Sequence, residues 1–401
     1  MNHKYILIAG TLTLLLVFIT GCGNAAPAAT VTPTRTPKPA ATPVPPTALP
    51  TETPLPPTAT PTEAAAPAQA VTPFPPGVNP LTGLEVADPE MLEHIPLAIK
   101  ISNSPAVRPQ SGLNSADIIF EHYAEGNITR FTGIFYGTFP KRVGSVRSGR
   151  LIDLEIPAMY QGIFAFSGMS GGVKQRFRAS DLFPDQVASP DFGIGQPYFY
   201  RVPEEGKAFE HTLYVDPVEL RALTADRGVD GSPEFPQLMS FAAAPPALKD
   251  MFEVSYFEIN YLVGTCTAEW SYDAASGNWL RQTVGEIHRD YLTGEQVHAS
   301  NVAIIFANHL ETDIWEEMLG DQSNWKHSLQ IQVWGTGSAL LFRDGKMYQG
   351  YWKRQEREDM LTFQDTSGNP LPLKPGNSWF QLVPANTPAE EFETGMYRFT
   401  P

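Results

Sequence analysis

The sequence holds two cysteines in 401 residues, Cys22 and Cys266. If Cys22 is taken up by modification, the remaining thiol has no internal partner, which excludes a disulfide framework. Basic residues are scarce as well. There are 28 Lys and Arg against 43 Asp and Glu, a formal net charge of −15. That balance excludes a nucleic-acid binder, which needs a basic footprint, and it gives anionic lipid headgroups nothing to attract. The eight histidines lack the paired spacing of a zinc site. Neither a Walker loop nor a dinucleotide fingerprint occurs, so no metal and no cofactor are expected.

What is present first gives an address. Lys4 and the apolar run Tyr5 to Thr20 have the layout of a secretory signal, and the run is too short to span a bilayer comfortably. It closes on Ile19-Thr20-Gly21-Cys22, similar to a lipobox whose cysteine is lipidated and becomes the first mature residue. Residues 1–22 are therefore expected to be a signal peptide, with Cys22 the lipid attachment site. The protein would be an extracytoplasmic lipoprotein anchored to the outer face of the cell membrane. An uncleaved anchor would give the same address. Cys266, in the strand-like Tyr261–Cys266, reads as a small buried apolar residue.

Residues 23–76 are rich in Pro, Thr and Ala and have no aromatic residue before Phe74. Such a tract cannot bury enough surface to offset its ordering entropy and is expected to be a disordered linker. Prolines bias it toward polyproline II at about 3.1 Å per residue, so it could reach on the order of 100 Å from the membrane.

Beyond it the pattern predicts an α+β protein. A mixed α/β N-terminal domain is expected over 77–246, a predominantly β C-terminal domain over 247–390, and a tail over 391–401. Pro96–Ile101, Ile118–Tyr123 and Ile128–Tyr136 read as strands, the last two joined by a hairpin at Glu125-Gly126-Asn127. Helices are expected around Leu151–Tyr160, over Val173–Arg178, and from Pro217 with Asp216 as N-cap. In the second half, Asp344-Gly345 between apolar strands is a type I′ hairpin signature.

The stretch from Arg108 to Asp153 concentrates Arg108, Arg130, Arg147 and Arg150 with Asp117, Glu121, Glu125 and Asp153. Arginine forks grip a carboxylate or phosphate by paired hydrogen bonds. The same charges could instead satisfy one another in a structural network. Separately, Gly168-Met169-Ser170-Gly171-Gly172 matches G-x-S-x-G between an expected strand and helix, the context of a nucleophile elbow. The seven tryptophans read mainly as β-domain core and rim, with a sugar-stacking face as the other reading.

Several phrases together carry a family resemblance: Asn79-Pro80-Leu81-Thr82-Gly83, Arg108-Pro109-Gln110-Ser111-Gly112-Leu113, Ala116-Asp117-Ile118, Glu125 to Phe131, and Gly144 to Ser148. Leu341 to Lys346 and Pro375 to Trp379 add to it. Together they resemble the YerB-type bacterial lipoproteins, built from an N-terminal and a C-terminal domain of unknown function. The resemblance marks Arg108, Asp117, Glu125, Thr129, Arg130, Arg147, Ser148 and Arg150 as ligand-binding candidates. The phrase around His211 departs from the family's Pro-His-Asn element, because Glu210 and Thr212 replace its neighbours. The expectation is a binding or regulatory protein of the cell envelope, with the membrane and a cell-wall component or envelope protein as partners. The alternatives are a hydrolase using Ser170 or a carboxylate of the N-terminal domain, and a purely structural envelope protein.

Overall fold

The computed structural model describes residues 74–124, 128–249, 251–262, 266–317 and 326–401. The signal peptide, Cys22, all but the last residues of the linker, and Glu125 lie outside the described residues.

The first half opens with strands β1 (Leu97–Ser102), β2 (Ile118–Ala124) and β3 (Ile128–Phe135). Their apolar residues alternate with a period of two, so each strand feeds both faces of the sheet. Ile99, Ile101, Ile119 and Phe131 enter one core, while Ala98, Ile118, Phe120 and Ile134 enter another. β2 and β3 form the expected hairpin, with Ala124 opposite Ile128, and β4 (Ile163–Ala165) runs parallel to β1. The helix expected at Leu151–Tyr160 forms in two pieces. A 3-10 turn spans Leu151–Leu154 and a short α turn spans Ile156–Met159. Helices α1 (Gly171–Arg178) and α2 (Pro217–Asp226) follow, and Asp216 caps α2 by accepting from the amides of Val218 and Glu219.

The second half supplies β5 (Tyr256–Leu262), β6 (Cys266–Asp273), β7 (Asn278–Thr283), β8 (Asn301–Glu317) and β9 (Lys326–Gln332). It continues with β10 (Gly335–Arg343), β11 (Lys346–Arg354), β12 (Ser378–Pro384) and β13 (Met396–Phe399). β10 and β11 meet at Asp344-Gly345 with φ of 52° and 68°, the positive pair that a type I′ turn requires.

Two large sheets, two small ones of two and three strands, and a helical layer result among the described residues, an α+β architecture with a β-rich second half. The larger sheet has twelve strands among the described residues, and the smaller has seven. Strand β12 lies parallel to both β8 and β2, so the two halves of the chain share one sheet. The smaller sheet, built on β7, β6, β5 and β13, packs face to face on the larger through aromatic side chains. Phe257 stacks on Phe342 at 3.9 Å, and Trp270 meets Trp379 edge-on at 5.3 Å. The opposite face of the large sheet is covered by the Leu151–Leu154 turn and α1, with Val173 and Phe177 buried against Phe164 and Phe166.

The segment expected as a tail is different. β13 pairs in parallel with β5, and Phe399 is fully buried in the inter-sheet core. Burial of Phe399 contributes about 1.5–3 kcal/mol, and strand pairing on both sides of β13 adds to it.

Candidate functional site

Strand alternation sorts the charged stretch before any ligand is considered. Lys100 stands opposite Thr132, and Arg130 stands opposite both Ser102 and His122. These even-numbered residues share the face that packs on the helices. Thr129 and Glu121, one residue away, share the other face. Adjacent Thr129 and Arg130 therefore belong to different sites.

The inner face, turned toward the smaller sheet, holds a buried network in which Arg281 Nε alone of that guanidinium lacks a hydrogen-bond partner among the described residues. Glu121 and Arg281 are fully buried and paired, with Arg281 Nη2 at 3.1 and 3.0 Å from the two carboxylate oxygens. Thr129 Oγ1 at 2.7 Å and Trp379 Nε1 at 3.0 Å both donate to the Glu121 carboxylate. The Arg281 guanidinium lies over the rings of Trp379, Phe131 and Trp270 at 5.0, 5.4 and 5.8 Å. Its Nη1 meets His288 Nδ1, and His288 Nε2 donates to Gln110 Oε1 at 2.7 Å. Arg108 donates to Asn103 through Nε and Nη2, and burial lowers its pKa. Cys266 is buried against Thr129, with burial pushing its thiol up, as a small core residue would be. Arg108 and Thr129 thus sit in a desolvated framework that stitches the two halves together.

Asp117 is in neither group. It immediately precedes β2, about 16 Å along the chain from His122, and accepts from Asn79 Nδ2 and the amides of Tyr136 and Gly137. Burial outweighs those hydrogen bonds and raises its pKa from 3.8 to about 6. Between those values the folded state holds more protons than the unfolded chain, so this group's stabilisation is full below about pH 4. It is lost as pH rises through about 6, by up to about 3 kcal/mol. Urea unfolding at pH 4 and pH 6.5 should show that loss in the parent. Asp117→Asn should flatten the difference, and an identical pH dependence in both would contradict the assignment.

The outer face is where the remaining candidates meet. Lys100 is fully buried, and its Nζ contacts Asp153 at 2.8 Å, Thr132 Oγ1 at 2.9 Å and His122 Nε2 at 2.6 Å. His122 Nδ1 faces the Tyr123 carbonyl at 2.7 Å, which makes it the donor and leaves Nε2 to accept from Lys100. Burial drives His122 well below the usual imidazole range and Lys100 down to about 8, with Arg130 and Arg150 adding repulsion. Asp153 also accepts from the Arg150 amide, closing the turn that follows. Arg130 Nη1 donates to the Ser148 carbonyl at 2.9 Å, and Arg150 Nη1 to the Gly149 carbonyl.

Above this layer the loop opens to solvent. Arg147 and Ser148 are half-buried, as are Ser167 to Ser170 on the loop beside them. The loops are bound by Ser167 N to Arg147 O and Gly149 N to Gly168 O. Gly168 has φ +88°, and a Cβ there would lie 2.8 Å from Ser148 Oγ, so only glycine allows this approach. The Arg147 guanidinium makes no hydrogen bond or ion pair with the described residues, and its Nε is shielded from solvent. Burial, with repulsion from Arg150, lowers its pKa against the pull of exposed Glu210. His211 Nδ1 and Ser145 Oγ are likewise shielded without a hydrogen-bond partner among the described residues. Burial and Arg147 depress the His211 imidazole.

Ser170 is the N-cap of α1, with φ −66° and ψ 160°. Its hydroxyl accepts from Val173 N and donates to Glu316 Oε1 at 3.1 Å. The ordinary backbone and the carboxylate partner differ from the strained, imidazole-activated serine of a nucleophile elbow. Glu316 also accepts from Ser328 and lies 3.8 Å from Arg150. No group of three or more potential metal ligands occurs among the described residues. No described helix is long and apolar enough to cross a membrane.

Lys100, His122, Ser145 and Glu316 were not legible as site residues. Lys100 and His122 carried a signal in the period-two pattern of their strands, whereas Glu316 is 146 residues from its partner Ser170.

Residues 81–230 match the family described as "Protein of unknown function (DUF3048) N-terminal domain", and residues 257–380 match its C-terminal domain. A curated relative, "Putative lipoprotein YerB" of Bacillus subtilis (strain 168), is 30% identical over 308 residues, covering 76% of this chain and 86% of its own. The crystal structure of YerB protein from Bacillus subtilis superposes with a TM-score of 0.63 at 27% identity, covering 76% of this chain and 96% of that one. The chain belongs to this YerB-like lipoprotein family.

Proposed function

We propose that this lipoprotein is a membrane-anchored, extracytoplasmic binding or regulatory protein that captures an anionic group at the Arg147 loop. Lipid on Cys22 would hold it at the outer face of the cell membrane, with the linker lifting the folded part toward the wall. Arg147 and Ser148 are the contact residues. Arg130 and Arg150 secure the loop, while Arg108, Thr129 and Asp117 belong to the framework behind it. A carboxylate or phosphate of a cell-wall component or envelope protein has the matching chemistry.

The observation that carries this reading is the Arg147 guanidinium, shielded at Nε and without a partner among the described residues. A half-buried fork left unsatisfied is costly unless a ligand completes it. Shielded His211 Nδ1 and Ser145 Oγ on neighbouring segments point the same way. Binding is favoured over hydrolysis because the Ser170 hydroxyl is engaged as a cap and by Glu316.

The test is calorimetric titration with glycerol 3-phosphate and with N-acetyl-alanyl-alanine, which separate phosphate from carboxylate. Saturable binding of one of them is expected. Arg147→Ala should weaken it by at least about tenfold without lowering the unfolding midpoint. Binding of neither probe, or equal affinity in the variant, would overturn the reading.

A further inference from the structure

A second concavity is formed where the Leu151–Leu154 turn, α1 and the β8–β9 arm meet, and Arg147 does not line it. It is a cavity of about 230 Å³ with an apolar floor that includes Leu151, Leu154 and Ile331, and Trp334 at its rim. We propose that this cavity is a saccharide subsite, seating one pyranose ring against the Trp334 indole.

Four observations carry the assignment. Trp334 is 42% exposed, whereas Trp270, Trp279, Trp352 and Trp379 are buried. A flat indole at the mouth of a cavity offers the apolar C–H face of a sugar a surface to cover. Gln330 and Arg176 also line the cavity, and neither side chain has a hydrogen bond or ion pair among the described residues. Their planar amide and guanidinium groups remain available to neighbouring hydroxyls. The size is that of one ring, since pockets for larger organic ligands run to about 300–1,000 Å³.

The fourth observation is the rigidity of the walls. Fully buried Arg354 donates to Glu155 Oε2 at 2.7 Å on one wall and to the Val333 carbonyl at 3.3 Å, the residue before Trp334, on the other. Arg357 holds the second Glu155 oxygen at 3.0 Å and the Leu154 carbonyl at 2.8 Å, and its fork grips both oxygens of Asp181 at 2.8 Å. A shell that fixes both walls is what a preorganised site requires. It also engages the Glu155 carboxylate, so the lining favours a neutral polyhydroxyl ring over a cation. The cavity does not use Arg147, and it stands or falls separately from the anion site.

The test uses the full chain with chitotetraose and maltotetraose, followed by isothermal titration and ligand-observed saturation-transfer NMR. Saturable binding of at least one is expected, with a dissociation constant on the order of 1 mM for a single seated ring. Trp334→Ala should weaken it by about tenfold or more, Trp334→Phe should retain most of it, and Arg147→Ala should leave it unchanged. Because Trp334 is at the surface, its variants should keep the parent unfolding midpoint. Absence of saturable binding well above that constant, or equal affinity in a folded Trp334→Ala protein, would overturn the proposal.

Discussion

Glu121→Leu is expected to destabilise the folded chain by about 3–5 kcal/mol. The carboxylate is fully buried and accepts from Arg281, Thr129 and Trp379 at once. Its removal strands a guanidinium that is itself fully buried among three aromatic rings. A desolvated charge without its partner is far more costly than the net value of the pair. For a domain with a typical stability of about 5–15 kcal/mol, much of the protein would unfold in mild urea. The second charge also predicts a rescue. Glu121→Leu combined with Arg281→Met removes both ions and should recover at least half of the loss. Urea denaturation of the two single variants and the double variant checks this, and additive losses would contradict it.

Lys100→Met is expected to have a comparable effect on the opposite face of the same sheet, about 3–5 kcal/mol. Here the stranded group is Asp153, which is fully buried and retains Thr132 and the Arg150 amide as partners. The pH dependence separates this pair from the first. Lys100 has its pKa lowered from 10.5 to about 8 by burial, against the pull of Asp153. From about pH 8 to 10.5 the unfolded chain therefore holds more protons than the folded one. The cost of burying the ammonium is full below about pH 8 and is relieved as pH rises through that window, by up to about 3 kcal/mol. Unfolding midpoints at pH 7.5 and 10 should rise relative to those of Lys100→Met. A parallel pH dependence in the two proteins would contradict the assignment.

These two networks show what could be read in the sequence and what could not. The strands, the Asp216 cap and the Asp344-Gly345 turn are local, set by side-chain period and turn chemistry, and they form where expected. The charged stretch was visible as a concentration of arginines and acids, but its division was not. Thr129 and Arg130 are neighbours in sequence and lie on opposite faces because a strand turns over at every residue. The inner network depends on Arg281 and His288, 160 and 167 positions from Glu121 in the numbering, and nothing local links them. Likewise β12 inserts beside β2 by a parallel pairing across more than 250 residues, and no turn signal announces such a contact. Most of the charged stretch is internally bonded on both faces of the sheet. Arg108 and Thr129 are satisfied internally, whereas Arg147 Nε has no hydrogen-bond partner among the described residues.

The most direct measurement of that claim follows the Arg147 Nε–H resonance in nitrogen-15 NMR, assigned through Arg147→Lys, as the two anionic probes are added. On this account the Arg147 signal shifts along a saturable curve for at least one probe while that of Arg281, closed in its aromatic box, stays in place. A stationary Arg147 signal with both probes, or a response at Arg281 instead, would contradict it.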